Sequence, residues 1–177
     1  DNNQLINAKV LGMQGYYTSG WNVWLEDLGL GSDNAVYIEN NTFTGTLADY
    51  VPLNAIDSNY GSKMVFRYNT VIDMYLEQHS LQGDHRTTRK WEIYNNKIIY
   101  TGERLLSGWA MSIRGGTGVI FNNEITTATA WPGINTTIKF DNRRSSESLG
   151  TYAKACDGTS PWDGNEPGKY GYPCRDQ

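Results

Sequence analysis

Short runs of alternating apolar residues recur along the chain, and each run ends at an asparagine that a second apolar run follows. Four segments share this arrangement: VYIENNTF (36–43), MVFRYNTV (64–71), WEIYNNKI (91–98) and GVIFNNEI (118–125). Their aligned asparagines are Asn41, Asn69, Asn96 and Asn123, which are 28, 27 and 27 residues apart. So constant a spacing predicts a repeated structural unit with a period of about 27 residues.

The alternation within each segment has a period of two, which is typical of a β-strand with one buried face. Three columns are predicted to face inward: Val36, Met64, Trp91 and Gly118; Ile38, Phe66, Ile93 and Ile120; Phe43, Val71, Ile98 and Ile125. Gly118 replaces a bulky residue, so its coil either narrows or receives a large neighbouring side chain. The other columns mix charged and apolar residues, as an outer face does: Tyr37, Val65, Glu92 and Val119; Glu39, Arg67, Tyr94 and Phe121.

The shared asparagine predicts a sharp bend between the two strands of each unit. Asparagine enters the left-handed backbone region more readily than other non-glycine residues, so it can turn a strand without a loop. Its amide both donates and accepts hydrogen bonds, so asparagines in successive coils can bond to one another. We therefore predict a hydrogen-bonded ladder of Asn41, Asn69, Asn96 and Asn123.

A third short run accompanies each unit, after a loop of variable length. The runs are NAIDS (54–58), HSLQG (79–83), MSIRG (111–115) and, more loosely, TIKFD (137–141). Aligning Ile56, Leu81, Ile113 and Ile138 as inward residues gives each unit three strands. Because no helical pattern accompanies them, we predict an all-β parallel solenoid of about four to five coils over residues 1–142.

The remaining segment, residues 143–177, has little hydrophobic periodicity and contains both cysteines of the chain. We predict that it is a loop-rich extension or cap in which Cys156 and Cys174 form a disulfide, which would stabilise it by about 3 kcal/mol through loop closure. The alternative is two buried thiols. Zinc is not expected, because two cysteines and the distant His79 and His85 do not form a ligand set.

Charge and composition narrow the possible partners. The net charge of -4 and a pI near 5.1 argue against broad attraction to nucleic acid or anionic lipid. No stretch approaches the roughly 20 apolar residues of a membrane span, so none is predicted. With 12 Tyr, 6 Trp, 4 Phe and 19 Gly, the composition favours strands and tight turns over helices.

The asparagine units with their flanking strands resemble the right-handed parallel β-helix of the pectate-lyase-like superfamily, over residues 20–142. The phrases WEIYNN, IRGGTGVIFNN and GYPCRDQ also resemble a group of uncharacterised bacterial and metagenomic β-helix proteins. The first resemblance implies a right-handed coil. Together they imply a secreted or cell-surface protein, and they bring no established activity.

In that superfamily, saccharide binds across neighbouring coils on the strand before the first loop. The resemblance places one residue of this face on each coil, namely Asp57, Gln82, Arg114 and Lys139. The loop GDHRTTRK (83–90) adds Asp84, His85 and Arg86. A row of acidic, basic and amide groups is suited to a polyhydroxylated chain that also carries uronate groups. We expect Asp57, Gln82, Asp84, His85 and Arg86 to bind such a substrate.

Three functions fit this pattern, and the first is favoured. It is an extracellular module that interacts with polysaccharide. The second is a polysaccharide lyase, in which Arg114 and Lys139 are the catalytic residues. In this lyase, Asp57 and Asp84 help to bind calcium. The third is a structural fibre, adhesin or surface-assembly subunit that associates through open solenoid ends. A glycoside hydrolase is not favoured, because the paired aspartates of that branch are missing.

Overall fold

The computed structural model describes residues 2–13, 35–46, 54–59, 62–78, 88, 90–102, 108–128 and 136–140. Within these ranges the chain forms fourteen strands and no helix. They are β1 (Gln4–Ile6), β2 (Val10–Met13), β3 (Val36–Glu39), β4 (Thr42–Thr44), β5 (Asn54–Asn59), β6 (Lys63–Arg67), β7 (Thr70–Ile72), β8 (Tyr75–Gln78), β9 (Lys90–Tyr94), β10 (Lys97–Tyr100), β11 (Trp109–Ile113), β12 (Thr117–Phe121), β13 (Glu124–Thr127) and β14 (Thr136–Phe140).

These strands form three sheets, and every third strand belongs to the same sheet. Sheet 1 contains β3, β6, β9 and β12; sheet 2 contains β1, β4, β7, β10 and β13; sheet 3 contains β2, β5, β8, β11 and β14. Neighbouring strands in each sheet run parallel. The chain therefore visits the three sheets in turn, coil upon coil, which confirms the predicted all-β architecture of parallel strands.

The predicted asparagine ladder forms between sheets 1 and 2. Asn41, Asn69 and Asn96 each donate the backbone N–H and the side-chain Nδ2 to Oδ1 of the next asparagine, over 2.9–3.3 Å. Asn3 adds a rung that was not predicted, because it makes the same two bonds to Asn41. These side chains are buried at Asn41, Asn69 and Asn96, where an unpaired amide would cost about 1–3 kcal/mol.

The bend itself is made by a different residue from the one predicted. The residue before each of the four predicted rungs has the left-handed backbone, with φ between 51° and 56°: Asn40, Tyr68, Asn95 and Asn122. The prediction that the ladder asparagine takes this conformation is wrong. The two positions divide the task, because the first turns the chain while the second places its amide in the ladder.

Sheet 3 differs from the predicted alignment in its second coil. Ile56 pairs with Leu76 of β8, Leu76 with Met111, and Met111 with Ile138. The alignment of 79–83 as this strand is therefore wrong, and Ile113 pairs with Phe140 instead of Ile138. In this coil only Asp73 and Met74 separate β7 from β8, so the strand begins earlier than the sequence alignment placed it.

The hydrophobic core runs along the inside of the coils. Phe43, Val71 and Ile98 of sheet 2 are fully buried, and Ile56, Leu76 and Met111 line the inside of sheet 3. Inward residues of the first and last described coils are only partly buried, namely Leu5, Val10, Ile120, Ile125 and Ile138, and so is Val36 on the edge strand β3 of sheet 1. The best-buried core therefore belongs to the middle coils.

Gly118 accommodates the side chain of Trp91 in the coil below. A Cβ atom at Gly118 would overlap the Trp91 carbonyl oxygen and the Trp91 indole ring. The coil therefore receives a bulky neighbour, which was one of the two predicted outcomes. Among the described residues there is also no helix long and apolar enough to cross a membrane.

Several predictions fall on residues outside the described ranges. These are the extension at 143–177 with its Cys156–Cys174 disulfide, and the loop and strand residues Gln82, Asp84, His85 and Arg86. They stay predictions, except that Glu77 occupies the strand position predicted for Gln82.

Candidate functional site

Two outer faces carry the side chains suited to binding or chemistry. We call the outer side of sheet 3 the charged face; it comprises Asn54, Asp57, Tyr75, Glu77, Ser112, Arg114 and Lys139, with Lys9 and Trp109 beside them. We call the outer side of sheet 1 the aromatic face; it comprises Tyr37, Glu39, Arg67, Tyr68, Tyr94 and Phe121. The sequence predicted a site on the first and none on the second.

The charged face brings three of the predicted site residues onto one sheet. Asp57 pairs in register with Glu77, Glu77 with Ser112, and Ser112 with Lys139, so the row advances about 4.8 Å per strand. The place that the sequence assigned to Gln82 is occupied by Glu77. Arg114 follows β11 and extends towards β8.

Glu77 is the centre of this face. Its Oε1 accepts a hydrogen bond from Arg114 Nη1 at 2.9 Å, while its Oε2 accepts from the Tyr75 hydroxyl at 2.9 Å and from Asn54 Nδ2 at 3.2 Å. The side chains of Arg114 and Glu77 are only 8% and 13% exposed. Asp57 forms an ion pair with Lys9 over 2.9 Å. The network is therefore buried and internally paired, and Glu77 was missed because the alignment placed this strand too late.

Tyr75 is a hydrogen-bond donor in this network. Its burial, and then the neighbouring Glu77 carboxylate, raise the pKa of the Tyr75 phenol far above its ordinary value of 10.0. The phenol therefore keeps its proton, which suits donation to Glu77 and does not suit a general base.

The two residues predicted to be catalytic have separate partners. The Arg114 guanidinium binds Glu77, and its backbone N–H donates to Gln78 Oε1 at 2.8 Å, as does that of Gly115 at 2.9 Å. Lys139 Nζ lies 4.6 Å from the centroid of the Trp109 ring. Arg114 Nε and Trp109 Nε1 are buried without a hydrogen-bond acceptor in the described part of the chain. The catalytic roles of Arg114 and Lys139 stay predictions.

Of the two predicted calcium ligands, only Asp57 lies within the described ranges. Asp84 lies outside the described ranges, and within those ranges no group of three or more His, Cys, Asp or Glu could hold a metal ion. Calcium at Asp57 with Asp84 stays a prediction.

The aromatic face is built from a register column of sheet 1. Glu39 pairs with Arg67, Arg67 with Tyr94, and Tyr94 with Phe121, one residue per coil. The Tyr94 and Phe121 rings stack with centroids 4.5 Å apart and an interplanar angle of 8°. The Tyr68 ring meets Tyr94 edge-on, at 6.2 Å and 77°. Three rings are thus held in fixed mutual orientation.

Arg67 links these rings to Glu39. Its Nε and Nη2 each lie 2.8 Å from Glu39 Oε2, and its Nη1 donates to the Tyr94 hydroxyl at 2.7 Å. The guanidinium carbon is 5.5 Å from the Tyr37 ring centroid and 5.8 Å from those of Tyr68 and Tyr94. The bonds to Tyr94 and then Glu39 raise the pKa of Arg67 above its ordinary value, so the cation persists at any physiological pH.

Exposure separates the two faces. Tyr68 is 51% exposed and Phe121 44%, whereas Asp57, Ser112 and Arg114 are buried. Exposed apolar side chains grouped in one place often mark a binding surface. The signal for this face was present in the sequence, because aromatic residues occupy the outward columns of three of the four units.

Comparisons with protein-family models, with curated proteins and with solved structures found no match to this chain. The function is therefore inferred from the two faces, since a solenoid fold alone supports many functions.

Proposed function

We propose that this protein is an extracellular module that binds polysaccharide on its aromatic face. The observation that carries the proposal is the pair of exposed rings, Phe121 and Tyr68, which flank the partly buried Tyr94 and contact it. A right-handed coil related to the pectate-lyase-like superfamily is part of the same proposal.

Sugar chemistry matches the groups on this face. A pyranose ring presents C–H groups on its faces and hydroxyl groups around its edge. Aromatic rings pack against such C–H faces, and tyrosine hydroxyls, guanidinium and carboxylate groups hydrogen-bond the hydroxyls. Phe121 and Tyr68 supply exposed ring surface, while Arg67 and Glu39 supply polar groups at its border.

The geometry also suits a polymer. The residues of the column come from successive coils, so the row follows the solenoid axis in steps of about 4.8 Å. A polysaccharide lying along the axis would contact several coils at once. Linked weak contacts of this kind add to affinity when one chain can reach them together.

The burial of the charged face favours the aromatic face over the position that the sequence predicted. Carboxylate and guanidinium groups of the charged face already bind each other, and a sugar would have to replace those bonds. Replacing a buried, charge-assisted bond brings little net gain. We therefore assign binding to sheet 1.

A binding assay with matched variants tests this assignment. Affinity electrophoresis in xyloglucan, galactomannan, pectate or alginate gels would compare the wild type with Phe121→Ala and Phe140→Ala. Phe140 is 69% exposed on sheet 3, so it controls for loss of an exposed ring elsewhere. We expect the gel to retard the wild type and Phe140→Ala. Phe121→Ala should migrate without retardation. Equal retardation of both variants, or none for the wild type, would contradict the proposal.

The same samples address lyase activity. Ultraviolet absorbance from unsaturated uronate products, with calcium present, would appear only if the chain cleaves pectate or alginate by elimination. If it appears, Arg114→Ala and Lys139→Ala should abolish it. Binding without absorbance would leave the protein a non-catalytic module.

Partly buried apolar residues at both ends favour a second function, which is assembly. Leu5 and Val10 in the first coil and Ile125 and Ile138 in the last described coil are only partly covered. Sheet edges beside such residues, where no described strand pairs with them, favour pairing with another chain. Light scattering should then show mass growing with protein concentration, and Ile125→Lys should prevent the growth.

A further inference from the structure

The asparagine ladder has a direction, so its two ends differ. Each rung donates its backbone N–H and its Nδ2 to Oδ1 of the rung in the next coil, from Asn3 to Asn123. Within the described ranges, Oδ1 of Asn3 accepts no hydrogen bond. The backbone N–H of Asn123 has no acceptor in the same ranges, and its Nδ2 donates to the Ile93 carbonyl alone. The first end therefore lacks a donor and the last end lacks an acceptor.

Both ends also carry inward side chains that are partly uncovered. The inward column of sheet 2 runs from Leu5 to Ile125, and that of sheet 3 runs from Val10 to Ile138. These four residues are only partly buried, whereas the residues between them in the two columns are fully buried or nearly so. Removing the four side chains from water by packing a further coil on each end would be favourable.

Phe140 ends a second inward column of sheet 3. It pairs with Ile113, which is 4% exposed in the core, while Phe140 itself is 69% exposed. The register follows this column back through Gln78 and Ser58 to Gly12 in the first described coil. A large uncovered ring therefore ends the column, and a residue without a side chain begins it.

A second copy of this chain would supply what each end lacks. If its β1 and β2 paired with β13 and β14 in the register that relates the other coils, its Asn3 would accept from Asn123. Its Gly12 would lie opposite Phe140 and leave room for the ring. Sheet 1 has four strands and each of the other sheets has five, so the contact would be made by sheets 2 and 3.

The two ends call for a coil of this chain in particular. The partner must present an amide oxygen at the ladder and, on the neighbouring sheet, a small residue opposite Phe140. The first described coil has both, in Asn3 and Gly12, and its Leu5 would continue the column that Ile125 ends.

We propose that copies of this chain stack head to tail, so that the asparagine ladder and the inward columns continue from the last described coil of one copy into the first described coil of the next. This inference rests on the assembly proposed above as the second function, and it names the partner and the contact. The two surfaces of the junction are different, so the contact is heterologous. Stacking along the solenoid axis does not close, and an open filament of one polarity results.

The test blocks the two ends separately. Leu5→Lys blocks the first end and Ile125→Lys blocks the last end, so neither variant should associate by itself. Mixed one to one, the intact last end of Leu5→Lys should bind the intact first end of Ile125→Lys. Light scattering after size-exclusion chromatography should then show a species of twice the 19.9 kDa chain mass and nothing larger. Val10→Lys and Phe140→Lys form a second pair, should a lysine prevent folding in the first.

The same mixture tests the ladder. Asn3 lies in the junction only when it belongs to the Ile125→Lys chain. Asn3→Ala in that chain should raise the dissociation constant of the mixed dimer about tenfold. Asn3→Ala in the Leu5→Lys chain removes the same side chain away from the contact, so it should leave the dissociation constant unchanged.

The outcomes separate this inference from the assembly on which it rests. If the wild type grows in mass while the mixture stays monomeric, head-to-tail stacking is wrong and assembly remains. A dimer of either variant alone would show that like ends meet, which also overturns the stacking. Equal effects of Asn3→Ala in the two chains would exclude the ladder from the junction. A wild type that stays monomeric at every concentration overturns both stacking and assembly.

Discussion

The charged face and the aromatic face lie on two sheets of the same solenoid, and they use charge in opposite ways. On sheet 3, Glu77 and Arg114 are buried and bind each other and their neighbours. On sheet 1, the Glu39–Arg67 pair stays partly exposed at 23% and 30%, beside exposed rings. The charged face has more ionisable side chains, but they bind one another. The aromatic face has fewer ionisable side chains and is open to a ligand.

The largest expected effect comes from breaking the central ion pair of the charged face. Glu77→Ala leaves the buried Arg114 guanidinium without its carboxylate, and we expect a loss of about 3–5 kcal/mol in the free energy of unfolding. Glu39→Ala breaks the corresponding pair on the aromatic face and should cost at most about 1 kcal/mol. Urea denaturation measures both. Similar losses in the two variants would mean that the faces do not differ as described.

The next largest effect links the core to the aromatic face. In Gly118→Ala the new methyl group would overlap the Trp91 backbone and ring, so β12 must shift. We expect a loss of about 1–3 kcal/mol in the free energy of unfolding and weaker polysaccharide binding, since β12 carries Phe121. Urea denaturation measures the change in stability, and affinity electrophoresis measures the change in binding. Unchanged stability in Gly118→Ala would show that the Trp91 side chain lies elsewhere.

A smaller effect concerns alkaline pH and the charged face. The pKa of Tyr75 is raised in the folded state, so above its ordinary value of 10.0 the unfolded chain loses a proton that the folded chain keeps. Stability from this residue is therefore complete below pH 10 and falls above it, by about 1.4 kcal/mol per pH unit. Tyr75→Phe should reduce the slope of stability against pH between 10 and 11. An unchanged slope would mean that the Tyr75 hydroxyl is exposed to water in the folded protein.

The smallest expected effect on stability comes from the aromatic face itself. Phe121 is 44% exposed, so Phe121→Ala should change the free energy of unfolding by no more than about 1 kcal/mol. Its polysaccharide binding should nevertheless be lost. Thermal denaturation beside affinity electrophoresis would show the two properties separating, and a large loss of stability would instead make Phe121 a packing residue.

Much of the fold could be predicted because its causes repeat along the chain. The period of about 27 residues, the inward columns of sheets 1 and 2 and the ladder of Asn41, Asn69, Asn96 and Asn123 all agree with the structure. The third strand could not be placed by the same means in the second coil. β8 begins only two residues after β7 ends, and a pattern of apolar residues does not show how many residues separate two strands.

The candidate site was harder to predict than the fold. Asp57, Arg114 and Lys139 were identified, and the first two lie in one buried region, while the central Glu77 was missed. Tyr94 and Phe121 were assigned to an outer face, with no role proposed for them. Sequence columns show which residues point outward, and they do not show whether that outward face is covered.

The sequence by itself determined the coil, because a repeat of apolar columns and one amide per turn can only be satisfied by stacking like upon like. Only the tertiary structure decided that the residue before each ladder asparagine bends the chain, since the sequence pattern is compatible with a bend at either of the two positions. It also decided which outer face is buried and which is exposed, because coverage depends on chain segments distant in sequence. Burial turns the charged face into a paired network, and exposure leaves the rings of Tyr68 and Phe121 available.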